Sequence, residues 1–260
     1  MSHLDFPLPP GLTKILSPQS SIQKISRAFS PSDIPNLALW LDASDASTIT
    51  LNGADVSQWD DKSGNGRNVT QGTPSSQPLY DLAAQNGKNV VNFNGSTEWL
   101  LGAAYNFFAQ PYTIFVVGKA SGQDQDFFGW TQAAVHGVLL EVRAGNAIRY
   151  LHRHQPTGGI TDDLLSTANF SYSTETALTF TRDVSDNMEI FMDGTSRGSL
   201  AGVQPFQDNA GQGWSLGRLA AGISARYLNG NIAEFLIYEQ TLTVSQRQQV
   251  ESYLINKWGI

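Results

Sequence analysis

From Leu37 to Tyr238 the chain is cut into short apolar runs by Gly, Asn and Asp at fairly even intervals, and this punctuation limits the fold more than any other feature. Short strands separated by turn signals build two-sheet sandwiches. "LALWLDA" reads as the first strand, and "NVVNFNGSTEWLL" as a hairpin about Asn94-Gly95. "YTIFVVGKA" is apolar enough to be buried on both faces. "GVLLEVRAGNAIRYLHRH" predicts a second hairpin, turning near Gly145-Asn146. "TALTFTRD" and "MEIFMDGTSRGSL" follow, the latter turning at Asp193-Gly194, and "GWSLGRL" and "GNIAEFLIYEQ" complete the set. No fixed-period repeat is visible, which speaks against a solenoid or propeller.

Both ends depart from this pattern. Residues 1–35 hold six of the eleven prolines, too many for a strand. Within them Ser17 can cap a short helix with Pro18 at its first position, so that Ile22, Ile25 and Phe29 share a face. That face is too small to fold alone. A loose tail and a docking arm are both open; the arm is the expectation adopted, with Ile15, Leu16, Ile22, Ile25 and Phe29 as partner-docking residues. Fully extended, such a segment reaches about 120 Å. At the other end, Thr243 and Gln246 form a capping box, Val250, Leu254 and Trp258 recur every four residues, and Gly259 is a natural stop. The sequence predicts a helix over 244–258 covering one end of the sandwich, and residues 36–260 as one domain.

The bulk properties exclude several classes. There is no cysteine, hence no disulfide framework, thiolate metal site or cysteine nucleophile. A net charge of −7 without a Lys/Arg cluster argues against nucleic acid. No apolar run approaches the ~20 residues of a membrane helix. The first residues lack the basic start and apolar core of a secretory signal.

In order and spacing, "SPSDIPNLALWLDASD", "VSQWDDKSGNGRNVTQ", "PLYDLAAQNGKNVVNFNGSTEWL", "TIFVVGKA", "MEIFMDG" and "LNGNIAEFLIYEQTLTVSQRQQVESYLINKWGI" resemble the concanavalin A-like lectin/glucanase superfamily in its laminin G-like jelly-roll branch. The resemblance covers roughly Ser30 to Ile260. It implies an all-β fold: a two-sheet antiparallel jelly-roll sandwich, here with an irregular N-terminal arm and a C-terminal capping helix. Modules of this kind are frequent in bacteriophage virion proteins and bacterial surface proteins. Fold alone does not set function, since the superfamily holds lectins, hydrolases and structural modules.

The residues themselves speak against hydrolysis. A retaining glycosidase needs two carboxyl groups about 5–5.5 Å apart, which the laminarinase-like relatives place on one strand as E-x-D-x-x-E. No such triplet occurs here. Glu189 and Asp193 share a face with Phe191 between them, and Asp193 belongs to a turn; Glu141 has no acidic partner two or four residues away. Glu234, inside an apolar strand, is costly unless paired, and the resemblance includes an acidic residue there, so it is expected to have a fixed structural partner.

For sugar contact the aromatics least committed to a core are Trp130, Tyr150 and Tyr227, and His152 and His154 share a strand face beside Tyr150. These five are the carbohydrate-binding candidates. Zinc would need a third or fourth ligand, and only His136 is at hand, so no metal site is expected. Calcium is conceivable at Asp124 and Asp126 or at Asp60, Asp61 and Asn65, but such clusters are also turn formers. No cofactor is expected.

Together these features suggest a non-enzymatic phage virion protein. Its arm would dock on a capsid or tail partner, with homo-oligomerisation and weak host-glycan contact. The alternative is a carbohydrate-binding adhesin or tail-fibre receptor-binding module. The expected location is the surface of a virion made in the bacterial host cytoplasm.

Overall fold

The computed structural model describes residues 27–109, 111–132, 135–153, 161–172, 174–201, 213–219 and 226–260. Among these the chain forms strands β1 (Leu37–Asp42), β2 (Ile49–Asn52), β3 (Asp55–Trp59), β4 (Val69–Thr70), β5 (Leu79–Gln85) and β6 (Lys88–Asn94). Next come β7 (Leu100–Gly102), β8 (Tyr112–Ala120), β9 (Gln125–Gln132), β10 (Val135–Arg143), β11 (Ala147–Arg153) and β12 (Thr161–Asn169). The series ends with β13 (Thr176–Arg182), β14 (Met188–Met192), β15 (Thr195–Leu200), β16 (Trp214–Leu216), β17 (Asn229–Tyr238) and one helix, α1 (Val244–Trp258).

The antiparallel ladders separate into two layers. The back layer runs β1–β17–β8–β13–β14–β15, with β6 and β5 continuing from the N-terminal part of β17. The front layer runs β2–β3–β4–β7–β16–β9–β10–β11–β12. They join through the pair Asp55–Leu79 of β3 and β5. The jelly-roll sandwich expected from the sequence is therefore present.

Strand alternation fills the space between the layers. Phe235 of β17 stacks on Phe128 of β9 with ring centroids 5.3 Å apart, and Phe180 of β13 meets Tyr150 of β11 at 5.4 Å. The other face of the back layer is buried too, because α1 lies on it. Trp40, Phe115, Val117, Leu236 and Tyr238 pack against Val250, Leu254 and Trp258. This explains why β8 and β17 are apolar without alternation: each is covered on both sides. The helix thus covers a sheet face, not the end of the sandwich as its stripe alone suggested. Thr243 caps it reciprocally with Gln246, and Gly259 ends it in the left-handed region at φ 70°.

Glu234 has the structural partners its sequence environment demanded. Its Oε1 accepts from the indole of Trp40 at 2.7 Å and the hydroxyl of Tyr253 at 3.0 Å. Its Oε2 accepts from Lys257 and from the indole of Trp258, each at 2.7 Å. Lys257 also reaches Asp42 at 2.7 Å, so one buried node joins α1, β1 and β17.

The Gly145-Asn146 and Asp193-Gly194 turns are hairpins, with both residues of each at positive φ. Asn94-Gly95 is not. β6 and β7 belong to different layers, and Asn94 Oδ1 accepts from the amides of Ser96 and Thr97 to start a crossing loop. Packing of the domain begins before residue 36. Ile34 is buried, the Tyr238 hydroxyl donates to the carbonyl of Pro31 at 2.9 Å, and Phe29 meets Tyr253 edge-on at 6.0 Å. Ile15, Leu16, Ile22 and Ile25 lie outside the described residues.

Candidate functional site

Trp130, Tyr150 and His152, expected at the surface, are core residues with no measurable exposure. The Trp130 indole donates to the carbonyl of Tyr105 at 2.7 Å, and its ring packs edge-on against Phe108. The Tyr150 hydroxyl donates to that of Tyr112 at 2.5 Å, which lies 3.4 Å from His152 Nδ1. Burial raises the pKa of both tyrosines. The physical reason is register: Ile148, Tyr150 and His152 alternate onto the inner face of β11, and Arg149 and Leu151 onto the outer one. None of the three can present a ring to a ligand without opening the sandwich. Tyr227 is half-buried at the surface, and His154 lies outside the described residues.

Of the calcium candidates, Asp126 lies within β9, while Asp60, Asp61 and Asn65 follow β3 and Asp124 precedes β9. Asp61 accepts from the amides of Trp40, Ser63 and Arg67. Asp124 sits at φ 56° and pairs with Arg143 at 2.7 Å. Among the described residues no three His, Asp or Glu side chains converge on a possible metal position.

What the fold does assemble is a strip on the outer face of the front layer. On β10, Val138, Leu140 and Val142 face the core, which turns Leu139 and Glu141 outward. On β11 the outward residues are Arg149 and Leu151, and on β12 Asp163 stands opposite Leu151. Leu219, which follows β16, closes with Leu139 and Leu151 into a small buried apolar patch. Beside it Glu141 is fully buried and bound through both oxygens, Oε1 to Arg149 at 2.7 Å and Oε2 to Arg226. Arg149 also grips Asp163 with two bonds of 2.7 Å.

Across the β9–β10 ladder Asp126 is paired in register with Glu141. It is fully buried, and neither of its oxygens receives a hydrogen bond from a donor among the described residues. Burial, and then the charge of Glu141, push its carboxyl well above the usual carboxylate range. Burial and the neighbouring carboxylate thus both favour the neutral form of Asp126. A pattern search within one strand misses this pair because the two residues meet across a hairpin; the signal lay in pairing "QDQDFF" with "LLEVR".

At the β7–β16 end of the strip Trp99 and Arg218 come together. Leu100 points into the core, so Trp99 before it turns to the outer face; Arg218 lies beyond the end of β16, after Gly217 at φ 78° breaks the alternation, and next to Leu219 of the outer patch. The Arg218 guanidinium stacks on the Trp99 ring 3.4 Å from its centroid. The Tyr227 hydroxyl lies against the same guanidinium, while burial lowers the pKa of Arg218. All three side chains are half-buried and reach the surface. The backbone beneath them is fixed: Leu228 N donates to Gly217 O at 2.8 Å, Trp99 N to Ser76 O at 3.2 Å, and Ser215 Oγ to the carbonyl of Arg218 at 3.0 Å. Sequence reasoning found Tyr227 but missed its partners, because Trp99 lies in a stretch that resembles a core strand.

Chemically, the strip is suited to holding a ligand. Glu141 has both oxygens committed to guanidinium groups, which removes it as a nucleophile, and Asp126 beside it is sealed from solvent.

Comparison with known proteins agrees with this architecture. A family model described as the concanavalin A-like lectin/glucanases superfamily matches residues 94–246, more than half of the chain. No curated protein sequence matches it. Among solved structures, the binding domain of Paraclostridial Mosquitocidal Protein 1 superposes with a TM-score of 0.61 at 14% identity, over 87% of this chain and 54% of the other. The Botulinum neurotoxin serotype D ligand binding domain, in complex with N-acetylneuraminic acid, superposes at 0.59 and 14% identity, over 85% and 51%. A Trypanosoma rangeli sialidase in complex with sialic acid superposes at 0.57 and 12% identity, over 84% and 33%. The chain thus spans about half of the toxin domains and a third of the sialidase, and at these identities the likeness is one of fold. Residue order, two-layer topology and family match agree: the chain belongs to the concanavalin A-like lectin/glucanase superfamily, in its laminin G-like branch.

Proposed function

We propose that the protein is a non-catalytic carbohydrate-binding module whose ligand lies on the outer face of the front layer, beside β7 and β16. The observation that carries this reading is the half-exposed Trp99–Arg218–Tyr227 group on rigid backbone. An aromatic plane with polar groups at its edge matches the apolar face and hydroxyl rim of a sugar ring. Two fold relatives, the toxin ligand binding domain and the sialidase, are bound to sialic acids in their own structures, which supports the same ligand class here. Catalysis is disfavoured because the Asp126–Glu141 carboxyl pair is buried, with Glu141 bound to guanidinium groups. We further propose that the N-terminal arm, residues 1–35 in the reading taken from the sequence, carries the module on a larger assembly, there taken to be a phage particle.

The test is titration calorimetry of the full chain against a panel of neutral and acidic oligosaccharides, repeated with Trp99→Ala and Tyr227→Ala. Binding in the micromolar to millimolar range, weakened at least about tenfold by Trp99→Ala, is the expected result. Absence of binding across the panel, or binding indifferent to both substitutions, overturns the reading.

A further inference from the structure

Arg218 stands apart from the other arginines on this face. Arg143, Arg149 and Arg226 each have a carboxylate within ion-pair distance. Arg218 has none among the described residues; its partners are the Trp99 ring and the Tyr227 hydroxyl. The carboxylate next to Trp99 in sequence, Glu98, is turned away into the 94–98 loop, where it accepts from the amide of Asn94 at 2.9 Å. Arg218 Nε is buried without a hydrogen-bond acceptor. A half-buried guanidinium without a counter-charge is costly, and stacking on one aromatic ring offsets only part of that cost. Such a group is completed by an anion brought from outside, and the planar fork of arginine matches a carboxylate with two parallel hydrogen bonds.

We propose that Trp99, Arg218 and Tyr227 form a subsite for a carboxylated sugar, the guanidinium of Arg218 taking the ligand's carboxylate while the aromatic side chains cover its ring. This deepens the carbohydrate-binding reading and rests on it. The chemistry is shared by two sources, hexuronic acids and nonulosonic acids of the sialic type. A hexuronic acid carries its carboxylate on C5 of the ring, and a sialic acid on the anomeric carbon, so the two differ in how the ring lies when the carboxylate meets Arg218. The overall negative charge of the chain, −7, does not attract such a ligand from a distance. Recognition therefore depends on this local group, and affinity is expected in the modest range of a single charged contact plus stacking.

The experiment measures binding of N-acetylneuraminic acid, of glucuronic acid, and of each as its methyl ester, to the full chain and to Arg218→Gln and Arg218→Lys. Esterification removes the charge without touching the protein, so it tests the idea even where a variant folds poorly. The expected result is a loss of roughly 10- to 100-fold on esterifying the preferred acid. Arg218→Gln should cause a similar loss, and Arg218→Lys an intermediate one because it keeps charge without the fork. Which acid binds more tightly identifies the source. Equal affinity for acid and ester overturns the proposal, as does Arg218→Gln binding the acid like the parent. If neutral sugars alone bind, and do so through Trp99, the acidic subsite fails while the carbohydrate-binding reading survives. If nothing binds, both fail together.

Discussion

Each outer face of this sandwich buries a glutamate, and the two are treated differently. On the back layer Glu234 receives four donors, from Trp40, Tyr253, Lys257 and Trp258, under a complete helix. On the front layer Glu141 is held by Arg149 and Arg226, with Arg143 at 3.9 Å, and Asp126 beside it has no donor among the described residues. The back face also has its apolar surface sealed, by Val250, Leu254 and Trp258, whereas among the described residues the outer apolar patch of the front face is Leu139, Leu151 and Leu219. The back face is sealed and mostly satisfied, although Glu175 Oε2 and Asn231 Oδ1 are buried there without a hydrogen-bond partner among the described residues. On the front face, among the described residues, Arg218 has no carboxylate partner, the Asp126 carboxyl is pushed toward its neutral form and Trp99 is half-buried, and the proposed ligand contact rests on these features.

The sharpest way to break this contrast is Glu234→Ala. It leaves the indole N–H groups of Trp40 and Trp258 without an acceptor in a dry site and Lys257 with Asp42 as its remaining carboxylate; losing one member of a buried charged network costs about 3 kcal/mol. The urea midpoint should fall accordingly, and the far-UV helix signal of α1 should melt ahead of the sheet. A loss under about 1 kcal/mol would mean that the node is solvated and that the back face is no more sealed than the front. Next in size is Arg226→Ala. Glu141 keeps Arg149 and, at 3.9 Å, Arg143 but loses the guanidinium on its Oε2, and because Arg226 is partly exposed the expected cost is about 1 kcal/mol. If the cost instead matches that of Glu234→Ala, the front cluster is as much a structural keystone as the back one.

How far the sequence reveals this difference depends on the distance over which each interaction acts. Strands, hairpin turns at 145–146 and 193–194, and the ends of α1 are legible because they follow from residues a few positions apart. Glu234 is legible as a buried acid because its own strand is apolar on both sides. The front face is not, because its chemistry is made across ladders: Asp126 with Glu141, Trp99 with Arg218, Arg226 with Glu141. Trp130, Tyr150 and His152 look free from sequence because each has a polar handle. In the fold the Tyr112–Tyr150–His152 chain and the Tyr105 carbonyl absorb those handles internally. Alternation with Ile148 did contain the warning, since Tyr150 and His152 lie on its side of β11 and Arg149 on the other.

The finest discrimination comes from Asp126→Asn. Burial and then the Glu141 charge raise the carboxyl of Asp126 above its ordinary pKa of 3.8, so the folded chain retains a proton that the unfolded chain releases. Unfolding in that interval gives up a proton, and stability falls as pH rises from about 4 upward, by at most about 1.4 kcal/mol per pH unit from this group. Below that range both states are protonated and the contribution is flat. The asparagine amide keeps the shape and can still donate to Glu141, but carries no titrating proton. Urea unfolding from pH 3.5 to 8 should therefore show a shallower decline for the variant than for the parent, with the two converging at the acid end and the variant more stable at neutral pH. Parallel curves would mean that Asp126 ionises in the folded chain as it does in the unfolded one, which requires a donor beside it. A shallower curve with carbohydrate binding unchanged would place the protonated pair in the scaffold of the site and leave ligand contact to Trp99, Arg218 and Tyr227.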